Sequence, residues 1–232
     1  MRHRWAAVLA LLPGMLGGCS GLLQSNAKPE QTYYLRAPAV PAGTVAADAA
    51  AEAPSLRVAH PLADPGLDTA HIMLLQSDHR MSFYTGARWP GAMPDLVGSL
   101  AVQTLRASGN WASVEDPASP FPSDYLLQII VRRFDADYSD APGGSAAPVV
   151  QVVFDCSIGR REGREVLSTF VVAGSATAAA NRLGEVVAAF EQASDTALQQ
   201  LAQQSRAAVR AAAERAAQNG AAPAPSSNRH SQ

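Results

Sequence analysis

Few residues of this chain could do covalent chemistry. Among 232 residues there are two cysteines, Cys19 and Cys156, and five histidines. Lys28 is the only lysine, so no GxxxxGK[ST] phosphate loop can exist in a folded body downstream of it. The GxSxG turn of serine hydrolases is missing, as are CxxC, HExxH and EF-hand spacings. His60, Asp64, Asp68, His71, Asp78 and His79 have the residue types of a metal site. Their spacings match no ligand pattern, and several fall in turns, where Asp is common for backbone reasons. No metal or other cofactor is expected. Cys156 lies on an apolar alternating segment and reads as a small core residue rather than a nucleophile. With no nucleophile–base pair in view, the chain is expected not to be an enzyme. That leaves Cys19, which ends an apolar N-terminal run.

The run has a definite order. Arg2, His3 and Arg4 come first, then the apolar stretch Trp5 to Leu12, then Pro13-Gly14-Met15 and Leu16-Gly17-Gly18-Cys19. A charged start, a short apolar centre and small residues at the end make a secretory signal peptide. The apolar stretch is far shorter than the ~20 residues a bilayer-spanning helix needs. A branched apolar residue, two small residues and Cys resemble the lipobox of bacterial lipoproteins. The resemblance implies that the Cys19 thiol is diacylated, the peptide is cut before it, and the new amino group is acylated. A plain secreted protein is the alternative. If Cys19 is lipidated, Cys156 has no internal partner, so the exported body must hold by packing without a disulfide framework.

Removal of residues 1–18 leaves enough chain for one domain with a sizeable core and tails. The formal net charge is −2, and no concentrated basic stripe accompanies it, so a nucleic-acid partner is not expected. Residues 19–30 are small and polar and form a tether. The domain is expected over 31–205, with an Ala/Pro-rich loop at 37–54. Residues 206–232 are read as an Ala-rich helical extension followed by a disordered tail.

Within the domain, Gln31–Arg36, Ser55–His60, Ala70–Gln76 and Met81–Tyr84 read as strands, the last two as a hairpin. Leu62–Leu67 holds a Pro65-Gly66 turn, and Thr85–Pro90 reads as a loop. A helix follows, with Pro94 at its first position, Asp95 in its first turn, Leu96, Val97, Leu100, Ala101 and Leu105 on one face, and Gly109 as its stop. Trp111–Glu115 is short and extended. Asp124–Phe134 is apolar on both faces over its middle, which marks a central strand. Val149–Ile158 puts Val150, Val152, Phe154, Cys156 and Ile158 on one face. Glu165–Gly174 returns as its partner, with Val166, Phe170 and Val172 together on one side. A long C-terminal helix, with Asn181 available to cap it, carries Leu183, Val186, Val187, Phe190, Ala197, Leu198 and Leu201 in one stripe. Strands, helix, strands, helix is not a βαβ alternation. The expected fold is therefore α+β: a single domain with an antiparallel or mixed β-sheet and two main helices packed on one face.

Two surface features remain. Arg88 and Trp89, just ahead of the first helix, either cover the edge of the core or anchor a partner, since both types are enriched at interface hot spots. Arg160, Arg161 and Arg164 sit in a hairpin turn, as a solvated tip or as a contact for a partner or a lipid headgroup.

Taken in order, Cys19, Tyr33-Tyr34-Leu35, Val58 to Leu62 (Val-x-x-Pro-Leu), the hairpin ending in Tyr84, Arg88-Trp89 before a helix with Pro94 and Leu96, and a last helix with Ala197-Leu198 and Leu201 resemble the ABC-type transport auxiliary lipoprotein family, which includes the paraquat-inducible protein C-like lipoproteins. The resemblance spans about Gln31 to Gln203. It implies a non-enzymatic lipoprotein on the periplasmic face of the outer membrane. Such a protein serves as the docking or receiving component of an intermembrane phospholipid transport system with an MCE-domain protein, a permease and an ATPase. Ser20 after Cys19 fits that location, because in lipoproteins an Asp there signals retention in the inner membrane. An envelope-assembly or structural lipoprotein is the alternative, and homo-oligomerisation stays open. The family carries no catalytic residues to transfer. The Ala/Pro-rich stretch and the Ala-rich tail depart from its pattern. A Cys19→Ser chain should stay unlipidated and leave the membrane fraction for the soluble one on fractionation of cells; continued membrane attachment would refute lipidation at Cys19.

Overall fold

The computed structural model describes residues 30–37, 53–139 and 146–220. The predicted signal peptide, the lipidated Cys19 and most of the Ala/Pro-rich loop lie outside the described residues, as does the tail beyond 220. The strands are β1 (Gln31–Thr32), β2 (Leu56–Val58), β3 (Leu62–Ala63), β4 (His71–Leu75), β5 (Met81–Arg88), β6 (Val114–Glu115), β7 (Tyr125–Asp137), β8 (Val149–Arg160) and β9 (Glu165–Thr177). The helices are α1 (Met93–Ala107) and α2 (Leu183–Gly220). They make a mixed nine-stranded sheet with two helices packed on one face, the α+β class expected from the sequence.

The sheet is built around β7. Along one edge, β2, β3 and β4 pair with it in succession, all parallel. Along the other edge, β8 pairs antiparallel over nearly its whole length, and β9 follows β8. A strand with partners on both sides uses all its backbone donors and acceptors, which suits the apolar stretch Leu126 to Val131. Leu127, Ile129 and Val131 are fully buried. A register shift between Val131 and Arg133 then reverses the alternation, so Phe134 and Ala136 face the core instead.

The strand expected over Gln31–Arg36 is reduced to Gln31–Thr32, and three further short segments differ from the sequence expectation. Thr85 to Arg88 is strand rather than loop. β1 pairs parallel with Ala87 and Arg88, and the Trp89 N–H donates to the Ala70 carbonyl at 2.8 Å, so tertiary pairing overrides the local loop signal of Gly86. Leu62–Ala63 pairs with β7 although it sits among turn residues. Val166 does not join Phe170 and Val172. A bulge between Ile158 and Gly159 moves it to the opposite face, where it is 66% exposed. Gly159 serves this crossing: a Cβ there would stand 2.7 Å from the Glu165 carbonyl oxygen.

The first helix matches its expected face. Leu96, Val97, Leu100, Ala101 and Leu105 are buried, Pro94 lies one residue inside the start, Asp95 is in the first turn and Gly109 has φ +65 just past the end. α2 runs for 38 residues without a break. Val186, Phe190, Ala193, Ala197, Leu198 and Leu201 bury its stripe, and burial continues to Val209 and Ala212. The Arg206 guanidinium lies 5.9 Å from the Trp111 ring centre, which fixes the later turns of the helix beside the end of α1. Ahead of the helix, Asn181 Oδ1 accepts the Tyr138 hydroxyl at 2.7 Å, and Tyr138 in turn meets the Tyr84 hydroxyl at 2.7 Å. Burial and this hydrogen bond hold the Tyr84 proton in place, pushing its pKa well above the ordinary value.

Two contacts set how the helical layer sits on the sheet. Trp89 is fully buried between Phe134 and Phe190, with ring centres 6.0 and 5.3 Å away and both contacts edge-to-face. At Gly174, β9 comes so near α2 that a Cβ would overlap the Ala193 carbonyl oxygen and stand 3.1 Å from Ala197 N. Small residues on both sides, Gly174 against Ala193 and Ala197, permit this approach. Beside it, Gln200 Oε1 accepts the Ala173 N–H at 3.3 Å. Gly174→Ala should force strand and helix apart and cost about 3 kcal/mol, read as a lower urea midpoint with the slope unchanged. Trp89→Ala should cost about 4 kcal/mol through the cavity it leaves, seen as a large drop in Tm by circular dichroism.

Candidate docking surface

The residues singled out by sequence do not converge. Asp64 pairs with Arg132, Asp78 with Arg80, His60 lies 3.7 Å from Asp95, and His71 stacks on Phe83 with ring centres 4.3 Å apart. Asp68 is exposed and His79 occupies a turn at φ 63. Each thus has a local structural setting. Among the described residues no group of three or more His, Cys, Asp or Glu is placed to hold a metal ion. Cys156 is buried on the core face, and burial pushes its thiol up to about 12. A thiol held protonated is a poor nucleophile.

Trp89 is at the centre of the core, so its indole presents no surface to a partner. Of the expected pair only Arg88 reaches solvent; it is half-buried, with Nε 3.3 Å from the Trp89 carbonyl. Among the described residues no helix is long and apolar enough to cross a membrane.

The surface that the sequence reading missed is the sheet face opposite the helices. Alternation along β7, β8 and β9 places Leu126, Ile130, Val153 and Val171 there, and the bulge adds Val166. On the neighbouring strands Leu62, Met81 and Phe83 are 54%, 47% and 45% exposed. Leu126 and Ile130 were the available signal: a strand apolar on both faces must either be covered twice or leave an apolar face open. Here it leaves one open.

That face is crossed by a charged band. Arg132 sits at the β7 bulge and donates through Nε to Asp155 at 2.6 Å and through Nη1 to Asp64 at 2.7 Å. Arg133 donates to Asp135 at 2.7 and 3.1 Å and to Asp137 at 2.8 Å. Asp135 is almost fully buried, and Arg133 is its ion-pair partner there. Each of the two guanidiniums is thereby shared between two carboxylates of the chain.

At the end of the face nearest the β8–β9 turn, the balance changes. A groove of about 520 Å³ is lined by Arg160, Arg161, Arg164 and Glu165 above Leu126 and Val166. Arg160 meets Glu165 at 3.3 Å, and Arg161 Nη1 is 3.4 Å from Ser123 Oγ. Nearby, Asp124 accepts hydrogen bonds from the Ser55 N–H and hydroxyl at 2.8 and 2.7 Å, which hold its carboxyl below the ordinary range and tie β2 to the start of β7. Phe121 is exposed, and its carbonyl takes a hydrogen bond from the Arg57 guanidinium. The arrangement offers apolar contact and guanidinium groups together.

Comparison with known proteins bears on the fold and the family. The crystal structure of protein XCC0632 from Xanthomonas campestris is similar, with 22% identity over 80% of this chain and 97% of that one, at a TM-score of 0.64. A second crystal structure, of an uncharacterized protein, is 14% identical over 80% of this chain and 99% of its own, at a TM-score of 0.54. At these identities the likeness concerns the fold. No curated protein sequence matches the chain significantly. The sequence signature of ABC-type transport auxiliary lipoprotein components matches residues 33–204, most of the chain. The chain belongs to the family of ABC-type transport auxiliary lipoprotein components.

Proposed function

We propose that this protein is the docking or receiving lipoprotein of an MCE-type intermembrane phospholipid transport system, non-enzymatic and anchored through lipidated Cys19 to the periplasmic face of the outer membrane. Membership of the auxiliary lipoprotein family carries the reading. The N-terminal signal and the Leu16 to Cys19 motif support export and anchoring, and Ser20 supports the outer membrane.

In mechanism the protein works by position. Acyl chains on Cys19 restrict the domain to a thin layer at the membrane, which raises its effective concentration toward a partner arriving at that surface. The open sheet face supplies the contact area. Its apolar side chains give two dry patches, one at Met81 and Phe83 and one at Leu126 and Val166, and the Arg132 and Arg133 networks between them keep the strands in register. Arg88, the surface member of its pair, lies on the far edge of the sheet beside β1 and belongs to the rim of such a contact.

Capture experiments test this directly. The intact lipoprotein should retain the MCE-domain protein encoded beside it, and substitutions that place charge on the open face, Phe83→Asp with Val171→Asp, should lower retention at least tenfold while Tm holds, since exposed positions tolerate such changes. No association of the unaltered proteins would defeat the proposal.

A further inference from the structure

We propose that the groove at the β8–β9 turn receives the headgroup of an anionic phospholipid, with the first methylenes of its chains laid along the open sheet face. The physiological setting of this site rests on the lipid-transport reading above; the chemistry rests on the groove itself.

The charge balance there is unlike that of the rest of the open face. Arg132 and Arg133 are each held by two carboxylates of the chain. In the groove three guanidiniums meet one carboxylate, that of Glu165, which pairs with Arg160. Glu162, the other acid of the turn, lies outside the groove, in an adjoining hollow with Ser123 and Asp124 that shares Arg160 with it. No ion pair among the described residues engages Arg161 or Arg164. Arg164 also sits at φ 53, directly after Gly163 at φ 74, so the turn holds this arginine in a conformation that L-residues seldom take. Guanidinium groups match phosphate oxygens in geometry and charge.

The floor says which anion. Beneath the arginines lie Leu126 and Val166, the latter two-thirds exposed. At Ser157 the groove adjoins a second hollow of about 380 Å³, lined by Ile130, Thr169 and Val171. Asp155, the acid of this hollow, shares the Arg132 guanidinium with Asp64, at 2.6 and 2.7 Å. A guanidinium mouth that opens onto an apolar track fits a molecule with a phosphate at one end and hydrocarbon beyond it. Free phosphate would use the mouth alone, and the track would have no part in its binding.

The test uses the mature chain, residues 19–232 with Cys19→Ser, so that neither the apolar N-terminal run nor a covalent lipid is attached, and sedimentation with vesicles. The probes are phosphatidylcholine vesicles with and without phosphatidylglycerol. Binding should require phosphatidylglycerol. Arg161→Gln and Arg164→Gln should each weaken it about fivefold, with Tm unchanged. Val166→Ser, which leaves all charges in place, should weaken it as well, and inorganic phosphate at matched ionic strength should not displace the vesicles. Equal binding to both vesicles, retention by the two arginine variants, indifference to Val166→Ser, or displacement by inorganic phosphate would each overturn the site. If vesicle binding fails while the MCE partner is still captured, this groove falls and the docking role stands; if capture fails while vesicle binding persists, the reverse holds.

Discussion

The packing of Trp89 against Phe134 and Phe190 is the contact on which the rest of this structure depends. It joins three pieces of chain that local propensity alone would leave independent: the end of β5, the central strand and the long helix. The indole can only reach that position because β5 runs on through Gly86, at φ +75, to Arg88 before the chain turns toward α1. Phe134 can only meet it because the bulge at Arg132 reverses the facing of β7 after Val131. A one-residue change in either strand would turn an aromatic ring away from the core, and the cluster would lose its centre.

How much of this was legible in the sequence follows from which interactions are local. The helices declared themselves through periodicity and end signals, as did the β8–β9 hairpin through its alternation at Val150, Val152, Phe154, Cys156 and Ile158. β7 read as central because both its faces are apolar over the middle. What the sequence hid were the departures from regularity. Val166 has the parity of Phe170 and Val172, and only a bulge beside Gly159 sends it to the other face. Thr85 to Arg88 has loop composition but is held as strand by partners distant in the chain. The position of Trp89 was ambiguous for the same reason: a tryptophan ahead of a helix can point either way, and long-range packing decides.

The open sheet face was half legible. Leu126 and Ile130 showed that both sides of β7 are apolar, but periodicity does not tell a face covered by a second layer from one left for something else. The charges were less readable still. Arg132, Arg133, Asp135 and Asp137 look in sequence like an ordinary polar strand end; in the fold they join Asp64 and Asp155 in a closed set of ion pairs. This set separates the apolar region at Met81 and Phe83 from the region at Leu126 and Val166. It leaves the arginines of the hairpin turn as the place where positive charge is in excess. The face and the groove give a binding role its physical means.

Gln200 has a consequence for how the sheet stops. β9 is a long edge strand whose outward side chains, Thr169, Val171, Ala173, Ser175 and Thr177, carry no charge, and neither proline nor lysine guards it. Such an edge invites further strands. The Gln200 carboxamide takes the Ala173 N–H from the helix side, offering the carbonyl that a tenth strand would have offered. The sheet therefore ends by saturation of a backbone donor at the middle of its edge, and any strand added there must first displace a side chain anchored on α2.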